Sequence, residues 1–156
     1  MKYVYAALAT LVVVAILAFL LFHGGGHQRV GSVSTNFRLL GPNDKVVVRH
    51  FDDPAIPNVS CYASFAQTGG VAGSVGLAED PSRFALSCVA HGPVKIPASL
   101  PEQQEIGAVS ASALFKHFVL TRMVDRQTNT LVYVLISTKV LHGSPANAVS
   151  AVPAGE

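Results

Sequence analysis

From Val4 to Phe22 the sequence runs nineteen residues without a charged side chain. Wound into a helix rising 1.5 Å per residue, that run spans roughly 28 Å, close to the roughly 30 Å of a bilayer's hydrocarbon core. It predicts one N-terminal transmembrane or signal helix. About 125 residues are left for a folded domain, enough for one core.

Lys2 and the amino terminus are the only charges ahead of the run, and His23, His27 and Arg29 follow it. A short positive end stays cytoplasmic, so the domain is expected on the periplasmic side of a bacterial-type inner membrane. The run itself has two open fates. A cleavable signal carries roughly 7–15 apolar residues and then a small-x-small site. Gly24 and Gly26 supply a small pair, but the run is longer and ends on the bulky Leu20, Leu21 and Phe22. Retention as a single-pass anchor is therefore favoured, with release as a soluble periplasmic protein as the alternative. The expected organisation is an anchor or signal over 1–23, a glycine tether over 24–28 and one domain over 29–156.

Beyond the run the charges nearly balance, ten basic against nine acidic residues from Arg29 onward. Such a balance gives neither nucleic acid nor an acidic membrane surface an electrostatic reason to bind the domain.

Short apolar segments alternate with Pro, Gly, Asn and Asp clusters, the punctuation of strands and turns. Strands are expected over Arg29–Asn36, Lys45–Phe51, Val59–Gln67 and Phe84–Ala90. A hairpin is expected from Leu114–Asp125 and Leu131–Val140, joined by Arg126–Asn129. It carries Phe118, Leu120 and Val124 on one face and Val119 and Met123 on the other, which places it centrally in a sheet. Leu77–Ser82 reads as a short helical turn, Ile106–Ser112 as a second short helix or an irregular link, and Ala98–Glu105 and Gly143–Glu156 as irregular. The expected fold class is α+β, a β-rich single domain with a mainly antiparallel sheet.

Cys61 and Cys88 are the only cysteines, an even number in a chain sent to an oxidising compartment. Both fall on the apolar side of alternating segments, Val59/Cys61/Ala63/Phe65 and Phe84/Leu86/Cys88. A single bridge is the simplest reading, with two buried thiols as the alternative. A redox-active pair lacks the close C-x-x-C spacing that lowers a thiol pKa.

Several stretches resemble the CreA family of small bacterial envelope proteins. They are GSV-x-T-x-F from Gly31 to Phe37, GP-x-x-K-x-VV from Gly41 to Val48, FDDP from Phe51 to Pro54 and NVSCY from Asn58 to Tyr62. TGG at Thr68–Gly70, GLAED at Gly76–Asp80 and GSP-x-NA-x-SAVP at Gly143–Pro153 extend the likeness over nearly the whole domain. The resemblance implies a periplasmic domain with cysteines at the positions of Cys61 and Cys88. It brings no biochemical activity with it. A gene cluster shared with a sensor kinase and its regulator links the family to envelope or carbon-source signalling, which makes a sensor kinase an expected kind of partner.

The densest polar cluster is His50, Asp52 and Asp53, a set able in principle to bind a metal or move protons. On a strand, Asp52 shares a face with His50 while Asp53 points away, and Asp-Pro opens a turn, so a structural role is favoured. The glycines from Gly69 to Gly76 lack the G-K-[ST] ending of a phosphate loop. Ser74 in A-G-S-V-G is one glycine short of a hydrolase elbow. Arg122 lies on the most apolar strand and, if buried, needs a partner, with an internal carboxylate favoured over a ligand.

These features support a non-enzymatic binding or accessory domain without a cofactor or metal. Its candidate ligand or partner surface is Asp52, Asp53, Glu79, Asp80 and Asn147. The alternative is an envelope enzyme using His50, Asp52 and Asp53.

Overall fold

A computed structural model describes residues 27–70, 84–112, 116–138 and 145–155. Every regular element among them is a strand, and the strands form two separate four-stranded antiparallel sheets. The first holds β1 (His27–Ser34), β2 (Lys45–Asp52), β3 (Val59–Gln67) and β4 (Phe84–Ala90). The second holds β5 (Gln103–Ser112), β6 (Lys116–Asp125), β7 (Thr130–Ser137) and β8 (Asn147–Pro153). Each sheet is a meander in chain order.

The described fold is therefore all-β, which corrects the α+β expectation. Ile106–Ser112, read as a short helix or a link, belongs to β5 and pairs with β6. Register shifts between Glu105 and Gly107 and between Ser110 and Ser112 break the two-residue period there. A bulged strand of small residues thus has no alternation to read. The tail given as irregular contains β8, whose strand character comes from its ladder with β7. Val4–Phe22 and Leu77–Ser82 lie outside the described residues. Among those described, no helix is long and apolar enough to cross a membrane.

The inner faces of the two sheets make one core. Phe51, Val59, Cys61, Ala63 and Phe65 line the first sheet, and Phe118, Leu120, Val124, Leu131, Tyr133 and Leu135 the second. Phe118 joins the sheets by ring contacts with Phe65 at 4.8 Å and Phe84 at 5.0 Å. At their β4 and β8 edges the sheets approach closely, and the Cys88 amide donates to Ser150 Oγ at 2.9 Å. Cys61 and Cys88, directly opposed across the β3–β4 ladder, are joined as a disulfide.

Turns are fixed by aspartates acting on their own backbone. Asp53 Oδ1 accepts from the amides of Ala55 (2.9 Å) and Ile56 (3.2 Å) and so shapes the β2–β3 connection. Asp125 Oδ1 does the same for Gln127 and Thr128 in the β6–β7 hairpin. Asn129 closes that loop at φ 50°, a left-handed conformation that asparagine tolerates.

Candidate functional site

Strand alternation distributes the FDDP residues to opposite sides of the first sheet. Phe51 turns into the core, Asp52 turns outward, and Asp53 passes the end of β2 and turns back inward. The cluster read from the sequence therefore divides into two sites.

The inward site is a polar row across the second sheet. Cross-strand register aligns Gln104 on β5, Arg122 on β6, Tyr133 on β7 and Ser150 on β8. Asp53 enters this row from the other sheet. Its Oδ1 lies 2.7 Å from Arg122 Nη1, with both side chains wholly buried, and its Oδ2 accepts from the Tyr133 hydroxyl at 2.8 Å. Gln104 Oε1 takes Arg122 Nη2 at 2.6 Å, and Arg122 Nε is left without a hydrogen-bond partner. Burial first, then donation to Asp53 and the negative charge there, raises the Tyr133 pKa far above its ordinary value. An acid and a base locked this deeply hold the sheets in register and have no contact with solvent. Asp53, placed on a candidate surface by its sequence position, belongs to this interior site. Arg122 has the internal carboxylate favoured for it.

The outward site lies on the exposed face of the first sheet. His50 Nε2 is 3.0 Å from Asp52 Oδ1, and Ser60 Oγ donates to that same oxygen at 2.7 Å. The order is His–Asp–Ser, with the carboxylate in the middle, so His50 has no direct path to the Ser60 proton. The His50 ring also rests on Tyr62, centroids 5.2 Å apart. Beyond Tyr62 the face sinks into an open groove of about 230 Å³, bordered by Val48, Tyr62, Ser64, Ala85, Leu86 and Ser87.

Asn147 is exposed at the start of β8, on the other sheet from Asp52, where its amide donates to Pro145 O. Glu79 and Asp80 lie outside the described residues. Among those described, no three His, Cys, Asp or Glu side chains are grouped to hold a metal ion. Sequence reasoning missed Ser60, Tyr62, Gln104 and Tyr133. Tyr133 carried a usable signal, because a tyrosine in the middle of the apolar run Leu131–Ile136 needs an internal partner for its hydroxyl.

Comparison with known proteins places these sites in a family. The family model described as CreA protein matches residues 30–156, from within β1 through β8. Protein CreA of Escherichia coli (strain K12) is 44% identical over 130 residues, covering 81% of this chain and 83% of the relative. The proteins of the same name from Escherichia coli O6:H1 and O157:H7 give the same identity and coverage. No solved structure matches. With a family model matched over residues 30–156 and relatives 44% identical over 130 residues, this chain belongs to the CreA family.

Proposed function

We propose that this protein is a non-enzymatic binding domain on the periplasmic side of the inner membrane, led there by the apolar run Val4–Phe22. Its binding surface is the outer face of the first sheet, where Tyr62 and the groove beside it take an extended segment of an envelope protein. A sensor kinase is the kind of partner favoured by the family's link to signalling. The observation that carries this reading is the pairing of an open, partly apolar groove with a polar cluster arranged for recognition. Tyr62 offers a rigid aromatic contact, and His50 and Asp52 at the rim offer a donor and an acceptor.

A photo-crosslinking residue at Ser87 tests it directly in intact cells. The expected result is one discrete adduct from Ser87 that is absent when the same group replaces Gln127 on the far hairpin. Absence of any adduct at Ser87 across growth conditions overturns the reading.

The enzymatic alternative is supported by the His50–Asp52 contact, which suits proton transfer. Asp53 takes no part in it, being held by Arg122 and Tyr133. Replacing His50 and Asp52 together by alanine, with fold and cellular phenotype both unchanged, removes that alternative.

A further inference from the structure

Seven large hydrophobic side chains stand out into solvent among the described residues, and they are not scattered. Val30 (60% exposed), Val33 (69%), Phe37 (81%), Leu39 (88%) and Leu40 (74%) fall within eleven consecutive positions, formed by β1 and the loop leading to β2. Isolated exposed apolar residues are ordinary, whereas a contiguous set marks contact with something apolar.

The loop holding three of them is firmly built. Arg38 binds Asp44 through Nε and Nη2, both at 3.0 Å, and the Arg38 amide donates to Asn43 Oδ1 at 2.9 Å. From the end of β3, the Gly69 amide donates to Asp44 Oδ1 and the Gly70 amide to Pro42 O, each at 2.7 Å. The polar groups of the loop are thus turned inward on one another while Phe37, Leu39 and Leu40 project. A frame ordered in advance loses little conformational entropy when those side chains enter another phase.

Charge follows the same boundary. Residues 27–51 hold Arg29, Arg38, Lys45 and Arg49 against Asp44 alone, a net +3, whereas residues 52–156 carry six basic and eight acidic groups, a net −2. The near-neutral total conceals this segregation. Arg29 and Arg49 are directly opposed across the β1–β2 ladder, where like charges repel. Neither has an ion-pair partner among the described residues, and the Arg29 guanidinium spends one bond on Ser32 Oγ at 2.6 Å. Burial and then Arg29 push the Arg49 pKa below its ordinary value.

Position supplies the last observation. The apolar run Val4–Phe22 ends four residues before β1. At about 3.3 Å per residue β1 is roughly 26 Å long. One end leads back to that run, the other carries Phe37, Leu39 and Leu40, and Val30 and Val33 lie between.

We propose that the β1–β2 hairpin docks by its loop end on the surface of an anionic lipid bilayer, Phe37, Leu39 and Leu40 entering the headgroup–acyl boundary while the excess positive charge of residues 27–51 is drawn to lipid phosphate. The bilayer rather than a second copy of the chain is the occupant, because a copy would bring an equally cationic edge against this one. The inference rests on the membrane address proposed above, but its test uses defined vesicles, so its failure is separable from failure of the groove reading.

The chain contains no tryptophan, so Leu39→Trp introduces a single reporter at the most exposed position of the patch. The full chain is reconstituted into phosphatidylcholine vesicles with and without phosphatidylglycerol, with bromine on the acyl chains as quencher. Val149→Trp, exposed on β8 of the other sheet, is the control. Leu39→Trp should shift to the blue and be quenched in the anionic vesicles, and Val149→Trp should not. Arg29→Gln, which removes an exposed charge, should lower the docked-to-undocked ratio about fivefold at low salt, and added salt should act in the same direction on the unsubstituted hairpin. A Leu39→Trp spectrum that is unshifted and unquenched overturns the proposal. So does a blue shift without bromolipid quenching, the signature of a second copy on this edge, and so does quenching indifferent to lipid charge.

Discussion

Asp53 and Arg122, 69 positions apart in the chain, meet at 2.7 Å with neither side chain reaching solvent. The contact crosses from the β2–β3 turn of one sheet to a central strand of the other. It makes Asp53 the hub of the interior, since the same carboxylate also binds Tyr133 and the amides of Ala55 and Ile56.

Removal of the hub should cost more than removal of its cation. Asp53→Ala leaves a buried guanidinium whose remaining side-chain partner is Gln104, and should destabilise the fold by about 3–5 kcal/mol. Arg122→Met leaves Asp53 with its phenol and two amides and fills the space with an apolar chain, so its loss should be distinctly smaller. Urea denaturation of the two variants side by side checks the ranking, and equal losses would contradict it.

Tyr133 should give the fold an alkaline limit. Its folded pKa is raised above the unfolded value of about 10, so its contribution is complete below pH 10 and declines as pH climbs toward the folded value. Tyr133→Phe should lower stability at neutral pH by about 1.5–3 kcal/mol, the value of a hydrogen bond to a charged group. The same variant should also flatten the decline above pH 10. Stability measured from pH 8 to 11.5 in both proteins would expose the difference, and parallel curves would contradict the assignment.

Gly69→Ala should release the loop that presents Phe37, Leu39 and Leu40. A Cβ there would overlap Pro42 O and stand 2.5 Å from Asn43 C, both backbone atoms that cannot step aside. The strands should survive while the Gly69–Asp44 and Gly70–Pro42 bonds part. Limited chymotrypsin digestion should then cut between Phe37 and Leu40 much faster than in the parent, and unchanged resistance would contradict the bracing.

The Cys61–Cys88 bridge should act as a staple. Both sulfur-bearing residues are buried, at 2% and 8% exposure, and the closed loop of about 26 residues corresponds to about 3.5 kcal/mol on the chain-entropy model. Cys61→Ala/Cys88→Ala should lose stability of that order. Titration against glutathione should leave the parent oxidised, with a potential below about −300 mV. A potential poised near the periplasmic pool would mark exchange chemistry instead.

The local strands were legible in the amino-acid order. Val59–Gln67 and Phe84–Ala90 coincide with β3 and β4, and the β6–β7 turn is the four residues Arg126–Asn129, because alternation and turn chemistry act over a few neighbouring positions. The two cysteines could be placed on the inner faces of their strands for the same reason. Arg122 could be seen to need a partner, a carboxylate ahead of a ligand, because a lone charge in an apolar strand is too costly to bury.

Which carboxylate answered it was settled only by the tertiary structure. Alternation sets Asp53 on the opposite side from Asp52, but nothing within a few residues shows that it is the one sealed between the sheets against Arg122 while Asp52 stands in solvent. The division into two sheets and the strand character of β5 and β8 were decided at the same level. Their small residues carry little intrinsic preference, and only ladder bonds to the neighbouring β6 and β7 make them strands. Short-range sterics and alternation are written along the chain, whereas burial and partnership depend on which distant segments share a core.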